Sequence, residues 1–312
     1  MKLISVVTGC FNEEDNVEEL CARIRAQFER LPAYDYEHVF IDNASTDATV
    51  EKIKALAATD RRIKLIVNTR NFGHIRSPIH ALLQARGDAV IAMASDLQEP
   101  PELIADFIGK WEQGYRVVAG VKPTTQRTTA LSLVRRCFYA TIGRISDTRL
   151  IPNFTGFGLY DRSVVEIIRQ MDDPYPYFRG MIADIGFEHA EIRFTQPPRK
   201  RGISKNNFYT LYDMAILGIT SHSKLPIRLA TMAGFALSAL SLLVAITYLF
   251  YKLLRWEQFS VGVAPIVIGF FFFASVQLFF IGILGEYIAA IHTQVMKRPL
   301  VVERERVNFE SG

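Results

Sequence analysis

Cysteine is scarce in this chain. Cys10, Cys21 and Cys137 are its only three among 312 residues, and no two form a Cys-x-x-Cys pair. That excludes a disulfide framework and a zinc site, and leaves reduced thiols in a core. Glycine is missing where a dinucleotide would need it. The first strand-like run is followed by Gly9 alone and then by Glu13, Glu14 and Asp15. Neither a G-x-G-x-x-G turn nor a P-loop is present, and the acids would repel a bare pyrophosphate. This sets a dinucleotide-dependent dehydrogenase aside. Excess charge is missing too: 36 Lys and Arg against 32 Asp and Glu leave a net charge of +4. That is too little to call for nucleic acid as a partner. There is no internal repeat, no low-complexity segment and no secretory signal pattern at Met1.

Charge is also absent, locally, from the last third. Residues 229–251 and 258–285 contain no Asp, Glu, Lys or Arg, and each run is long enough to cross a hydrocarbon layer. Lys224, Arg228, Lys297, Arg298, Arg304 and Arg306 flank the pair, against Lys252 and Arg255 in the short connection. The positive-inside bias places the main domain and both termini in the cytoplasm, on a multi-pass protein of the inner membrane. Gly234, Gly262, Gly269 and Gly282 would let the spans pack with copies of themselves, so a homo-oligomer is expected. The domains expected are residues 1–205, a catalytic or binding domain; 206–228, juxtamembrane amphipathic helices; 229–290, a two-helix transmembrane hairpin; and 291–312, a cytoplasmic C-terminal tail, with membrane lipids as partners of the protein.

The first 205 residues alternate short apolar runs with helical spacing. Strands are expected at residues 3–8, 38–41, 63–67, 89–93 and 115–120. The pattern predicts an α/β fold with right-handed crossovers and a mainly parallel sheet. Polar loops then collect at one edge: Phe11 to Glu13, Asp42 to Asp47, Asn71 to His74, and Ser95 to Gln98. Ligands bind at that edge in open α/β sheets. Asp96 and Gln98 are hard oxygen donors spaced for one divalent ion, Mg²⁺ or Mn²⁺, completed by substrate phosphates. The alternative is a strand end whose acids cap the next helix.

Farther on, Arg127, Arg135, Arg136, Arg144 and Arg149 interleave with apolar residues, as in a basic helix lying on a membrane or a solvated helix face. Phe154-Thr155-Gly156-Phe157-Gly158 reads as a strand approached closely by a ligand or by backbone. Asp184 stands in an apolar run, where burial would raise its pKa or demand a partner; a plain exposed position is the alternative. Arg199, Arg201, Ser204 and Lys205 belong to the densest basic cluster, suited to clamping phosphate or touching anionic headgroups.

Together these segments resemble the family-2 glycosyltransferases that load a sugar onto a polyisoprenyl phosphate, among them dolichol-phosphate mannose synthases and bactoprenol glucosyltransferases. The resemblance rests on Phe11-Asn12-Glu13-Glu14, Asp42 through Asp47, Asn71-Phe72-Gly73-His74, Asp96 through Pro101, Arg199 through Lys205, and the two apolar runs, in that order. It implies a GT-A (Rossmann-like) fold, a UDP-sugar donor, a polyisoprenyl (undecaprenyl) phosphate acceptor, a divalent metal and inversion at the anomeric carbon. It further implies that Thr8, Gly9, Phe11, Glu13, Asp42 and Ser95 hold the nucleotide. Asp96 and Gln98 would ligate the metal, while Arg199, Arg201, Ser204 and Lys205 would meet phosphates. Three departures stand out. Gly9 replaces a usual proline. Ala94-Ser95-Asp96 replaces an aspartate–any–aspartate motif. Gly156 replaces an aspartate proposed as the base, with Gly158 in place of an arginine. In that absence Asp184 or Asp161 would serve, or no base is needed. A processive polysaccharide synthase would carry Gln-x-x-Arg-Trp, and neither Trp111 nor Trp256 sits in one. A non-catalytic scaffold or flippase partner is the reading that Ala94 and Gly156 would favour.

Overall fold

The computed structural model describes residues 1–122, 150–197, 225–254 and 263–309. They form two units: residues 1–122, 150–197 and 296–309 in one, and 225–254 with 263–295 in the other.

The first unit is built on β1 (Lys2–Cys10), β2 (Tyr34–Asp42), β3 (Ile63–Asn68) and β4 (Ala89–Ala94), separated by α1 (Val17–Phe28), α2 (Thr49–Thr59) and α3 (Gly73–Gln84). A 3-10 turn at Pro101–Leu103 leads into α4 (Ile104–Glu112), starting at the proline pair as the sequence implies. Then come β5 (Val117–Val121), β6 (Phe154–Asp161), α5 (Arg162–Met171), α6 (Phe178–Ile185) and β7 (His189–Arg193). The strand order is β7-β5-β6-β4-β1-β2-β3-β8, where β8 is Glu303–Val307.

Strand alternation explains the layers. Val6, Phe40 and Leu65 point into one core with Leu20 and Ile24 of α1, Ile53 of α2 and Phe107 of α4. Their neighbours Val7, Ile41 and Ile66 point into the other, with Leu82 of α3, Val165 of α5 and Met181 of α6. Both faces are covered, so the strands are apolar nearly throughout. β1, β2, β3 and β4 are mutually parallel, with Gly9 opposite both Ile41 and Ala94 and Cys10 opposite Asp42. That register brings the carboxyl ends of β1, β2 and β4 level.

The sheet is mainly parallel yet mixed. β6 runs antiparallel between β4 and β5, and β8 runs antiparallel along β3. The strand expected at Phe154 to Gly158 is β6, and its Gly158 faces backbone while its Gly156 faces the Phe178 ring. A Cβ on Gly158 would lie 2.3 Å from the Val118 carbonyl oxygen. β8 was not foreseen. It lies in the stretch 291–312 expected as a tail, and Glu-Arg-Glu-Arg-Val carries more charge than a core strand bears. An edge strand tolerates that charge.

The second unit contains α7 (Leu225–Leu254, 30 residues) and α8 (Val263–Val295, 33 residues). At 1.5 Å per residue they are about 45 and about 50 Å long. Among the described residues one stretch, Phe272–Val295, is long and apolar enough to cross a membrane. Phe270, Leu278 and Phe279 on α8 are exposed. That is costly in water and ordinary in lipid.

Candidate active site

The site is built from loops at the carboxyl ends of β1, β2, β3 and β4. The β1 loop is laced to the β2 loop. Asn12 N–H donates to Ser45 Oγ (2.9 Å), Thr46 N–H to Asn12 Oδ1 (2.8 Å) and Glu13 N–H to Thr49 Oγ1 (2.8 Å). These bonds keep residues 11–15 out of the helix expected there, and α1 starts only at Val17. Asp42 folds its own loop by accepting from Ser45 N–H (2.9 Å) and Ser45 Oγ–H. Burial pushes the Asp42 carboxyl above the usual carboxylate range, although the Ser45 bonds oppose it. Asn43 reaches the next loop, donating to Asn71 Oδ1 and Gly73 O (both 3.0 Å) and accepting from Phe72 N–H (2.8 Å). Three of these loops hold a non-glycine residue in the left-handed region: Asn12, Ala44 and Leu97, at φ 57°, 62° and 57°. Such strain clusters at ligand-binding sites and persists only where surrounding bonds enforce it.

The β4 loop is closed by a residue the sequence reading passed over. Glu99 is buried and accepts from Ala94 N–H (2.7 Å) and Thr155 Oγ–H (3.2 Å). It bridges the loop's two ends and ties them to β6. Burial, reinforced by the nearby Asp96 charge, pushes Glu99 up to about 7. Its signal was present in the sequence: an acid beside two prolines where the chain must turn inward. Within the loop, Asp96 Oδ1 accepts from Gln98 N–H (3.2 Å) across Leu97, and Gln98 Nε2 donates to Pro197 O (3.3 Å). Ser95 Oγ–H donates to Gly9 O (3.1 Å), joining β4 to β1.

The structure brings Gly9, Phe11, Glu13, Asp42, Ser95, Asp96 and Gln98 to one edge. Thr8 is different: it is buried, with Oγ1 3.0 Å from Nε2 of His38. Burial pushes His38 down to about 3, so the pair is neutral and interior, and the Thr8 side chain is taken up inside the core. The close approach expected at Gly9 is made by Pro78, whose Cγ would lie 3.1 Å from an added Cβ.

Two expectations are corrected. Asp161 pairs in register with Ala89, at the far end of β4 from Ala94, about 16 Å away at 3.3 Å per residue. It caps α5 by accepting from Ser163 N–H (2.9 Å) and also accepts from Trp111 Nε1–H (2.8 Å). Burial pushes its carboxyl up, but those bonds outweigh it and hold the group below its usual range. Asp161 is therefore a helix cap and not a base. Asp184 is exposed near the end of α6, so the burial that made it a candidate is absent; the helix turns Met181 and Ile182 inward instead. Arg199, Arg201, Ser204 and Lys205 lie outside the described residues, as do the five arginines of residues 127–149.

Among the described residues no three His, Cys, Asp or Glu side chains converge into a metal cage. The donors present are one carboxylate, Asp96, and one amide, Gln98. Hard oxygens in this number suit an ion that takes most of its ligands from phosphates and water.

A mainly parallel mixed sheet with its polar loops gathered at one carboxyl edge is that of a GT-A-like glycosyltransferase. Residues 5–168 match the model of "Glycosyl transferase family 2", and the chain belongs to that family. It is 33% identical over 298 residues to an uncharacterised glycosyltransferase of Synechocystis sp., covering 95% of this chain and 93% of that one. It is 34% identical over 299 residues to a prophage-derived bactoprenol glucosyl transferase of Shigella flexneri, covering 95% and 96%. A solved glucosyl-3-phosphoglycerate synthase of Mycobacterium tuberculosis, in complex with Mn²⁺, UDP and phosphoglyceric acid, aligns with 70% of this chain and 76% of its own at 18% identity and a TM-score of 0.48.

Proposed function

We propose that this glycosyltransferase moves a sugar from a UDP-sugar to a polyisoprenyl (undecaprenyl) phosphate, with inversion, at the cytoplasmic leaflet of the inner membrane. The observation that carries the reading is the convergence of Asp42, Ser45 and the Asp96–Gln98 pair on one edge of a family-2 fold. Gly9, Phe11, Glu13, Asp42 and Ser95 would surround the nucleoside. Asp96 and Gln98 would hold Mg²⁺ or Mn²⁺, which supplies charge neutralisation to the departing diphosphate. Arg199, Arg201, Ser204 and Lys205 would meet the phosphates of donor or acceptor.

The chemistry asks little of a base. A lipid phosphate oxygen is already anionic. It forms the bond to the anomeric carbon while the bond to the UDP oxygen breaks, and no proton has to leave first. That agrees with Gly156, which carries no carboxylate and whose φ of +103° and Phe178 neighbour, 3.3 Å from an added Cβ, disfavour a side chain. Catalysis then rests on orientation and on charge stabilisation.

Membrane placement is supported by the bactoprenol relatives, by Phe272–Val295, and by a parity argument. β8, after α8, pairs with β3, before α7, in one sheet. The chain leaves that domain and returns to the same side, so the number of crossings between is even. If α8 crosses, a second segment crosses as well, and α7, with its uncharged run 229–251, is the one proposed.

The test uses purified full-length protein, undecaprenyl phosphate, Mg²⁺ or Mn²⁺ and a panel of UDP-sugars, following UDP release and the glycolipid by mass spectrometry. Glycolipid should require lipid, metal and Asp96, and Asp96→Ala should lower turnover at least 100-fold. UDP release that ignores both the lipid and Asp96→Ala would overturn the proposal.

A further inference from the structure

Arginines of the first unit differ in what they meet. Arg23 reaches Glu102 at 2.7 Å, Arg62 reaches Asp60 at 2.8 Å and Arg25 reaches Asp60 at 3.3 Å. Arg70, Arg76 and Arg298 have no carboxylate at ion-pair distance among the described residues. Arg70 donates to Asn71 O (3.2 Å) and Arg76 donates to Pro299 O, both neutral carbonyls. Arg76 Nε is buried with no acceptor at all.

The three are also together. The guanidinium of Arg70 lies 4.0 Å and that of Arg76 5.5 Å from the centre of the same Phe72 ring. The bond from Arg76 to Pro299 O draws in the backbone next to Arg298, which is exposed. Burial and the neighbouring charges of Arg70 and Arg298 push Arg76 below its usual range, the mark of like charges held close without a counter-ion. Acids do lie nearby: Asp172 and Asp173 line a cavity of about 190 Å³ with Arg298, and Asp172 sits 4.0 Å from Lys297. That contact takes up Lys297 and leaves the arginines as they are.

Placement narrows the ligand. Arg298 is three residues beyond Val295, where the apolar stretch of α8 ends. A span ending there sets Arg298 at the level of lipid phosphates. Guanidinium groups present forked donors that match phosphate oxygens. Phe72 beneath them belongs to the Asn71–Gly73 loop, which Asn43 ties to the Asp42 loop. The cluster is thus joined through Phe72 to the loops of the nucleotide edge.

We propose that Arg70, Arg76 and Arg298 form a binding site for the phosphate of a membrane lipid, delivered from the bilayer surface at the end of α8. The placement rests on α8 spanning the membrane; the binding test below does not require transfer activity.

The experiment measures binding by the full chain in an uncharged detergent. The probes are a short-chain prenyl phosphate, a short-chain phosphatidylglycerol and inorganic phosphate, with UDP as the control ligand. Wild type is compared with Arg298→Gln, which is exposed and should fold, and with Arg70→Gln/Arg76→Gln. Arg199→Gln/Arg201→Gln serves to separate the other basic cluster. The lipid phosphate should bind wild type at least tenfold more tightly than Arg298→Gln, while UDP affinity and melting temperature change less than twofold and by less than 2 °C. Binding of prenyl phosphate alone assigns the site to an acceptor-type lipid, and binding of both lipids assigns it to bilayer headgroups. Equal binding of inorganic phosphate, or lipid binding that Arg298→Gln leaves intact while Arg199→Gln/Arg201→Gln abolishes it, overturns the proposal. Loss of UDP binding in wild type would instead strike at the glycosyltransfer reading above.

Discussion

Gly158 and Gly156 are both glycines for steric reasons, but not the same one. Gly158 faces the Val118 carbonyl across the β5–β6 pairing, with only 2.3 Å for a Cβ. Gly158→Ala should cost about 2–3 kcal/mol, since neither strand can retreat without breaking the ladder. Gly156→Ala should cost about 1–2 kcal/mol, for its left-handed φ and the Phe178 edge. Melting temperatures order the two, and an unshifted Gly158→Ala would mean that β6 sits elsewhere. Glu99 makes a prediction in pH. Its folded pKa, about 7, lies above the ordinary glutamate value of 4.5. The folded chain therefore holds a proton that the unfolded chain releases. Stability from this group is complete below about 4.5 and is lost as pH rises to about 7. Glu99→Gln keeps both bonding partners and has nothing to titrate. Wild type should lose on the order of 2–3 kcal/mol more than Glu99→Gln between pH 5 and 8, measured without nucleotide or metal. Parallel curves for the two proteins would show that Glu99 is ionised throughout.

At the level of elements, most of the sheet was legible. β1 to β4 are continuous apolar runs because helices cover both their faces, and such runs show in any sequence. The edge loops could be read as well, since topology alone gathers them. What escaped reading depended on partners far along the chain. Thr8 looks like an edge residue until His38 claims its hydroxyl. Asp161 looks catalytic until α5 begins beside it. β8 is hidden because alternating charge suits an edge strand and a solvated tail equally. Its contacts are extensive: Val302 O accepts from Thr69 N–H (2.9 Å), and Asn308 Nδ2 donates to Ala57 O (2.8 Å) and Ile63 O (2.9 Å). Glu303 engages His80 and Arg306. A chain ending at Arg298 would bare the outer edge of β3, an invitation to pair with another copy. It should melt several degrees lower and aggregate on heating, as followed by light scattering. A truncated chain that melts like the intact one would mean β8 adds nothing to the domain.

For the whole molecule, the same strand decides topology. β8 and β3 share a sheet, so residues on either side of the two long helices lie on one side of any membrane. α8 meets the length and apolarity of a span within Phe272–Val295. A single crossing would tear β8 from β3, and the sheet would lose a strand with its buried neighbour Val301. If α8 crosses, as proposed, the even count asks for a second crossing, and α7, whose 30 residues include the uncharged run 229–251, offers it. With the domain on the cytoplasmic side, as proposed, Trp256 would be reached from outside and Gly312 only from inside. In intact cells a membrane-impermeant maleimide should label Trp256→Cys and spare Gly312→Cys until the membrane is opened. Cys10 and Cys21 are buried and should stay silent, and Cys137 is replaced by serine in both variants. Protection of Trp256→Cys would mean that the helices enter and leave by the same face, and neither crosses. Labelling of both sites from outside would place the catalytic edge on the far side of the membrane, away from cytoplasmic UDP-sugars. Only the first pattern delivers donor and lipid phosphate to one leaflet.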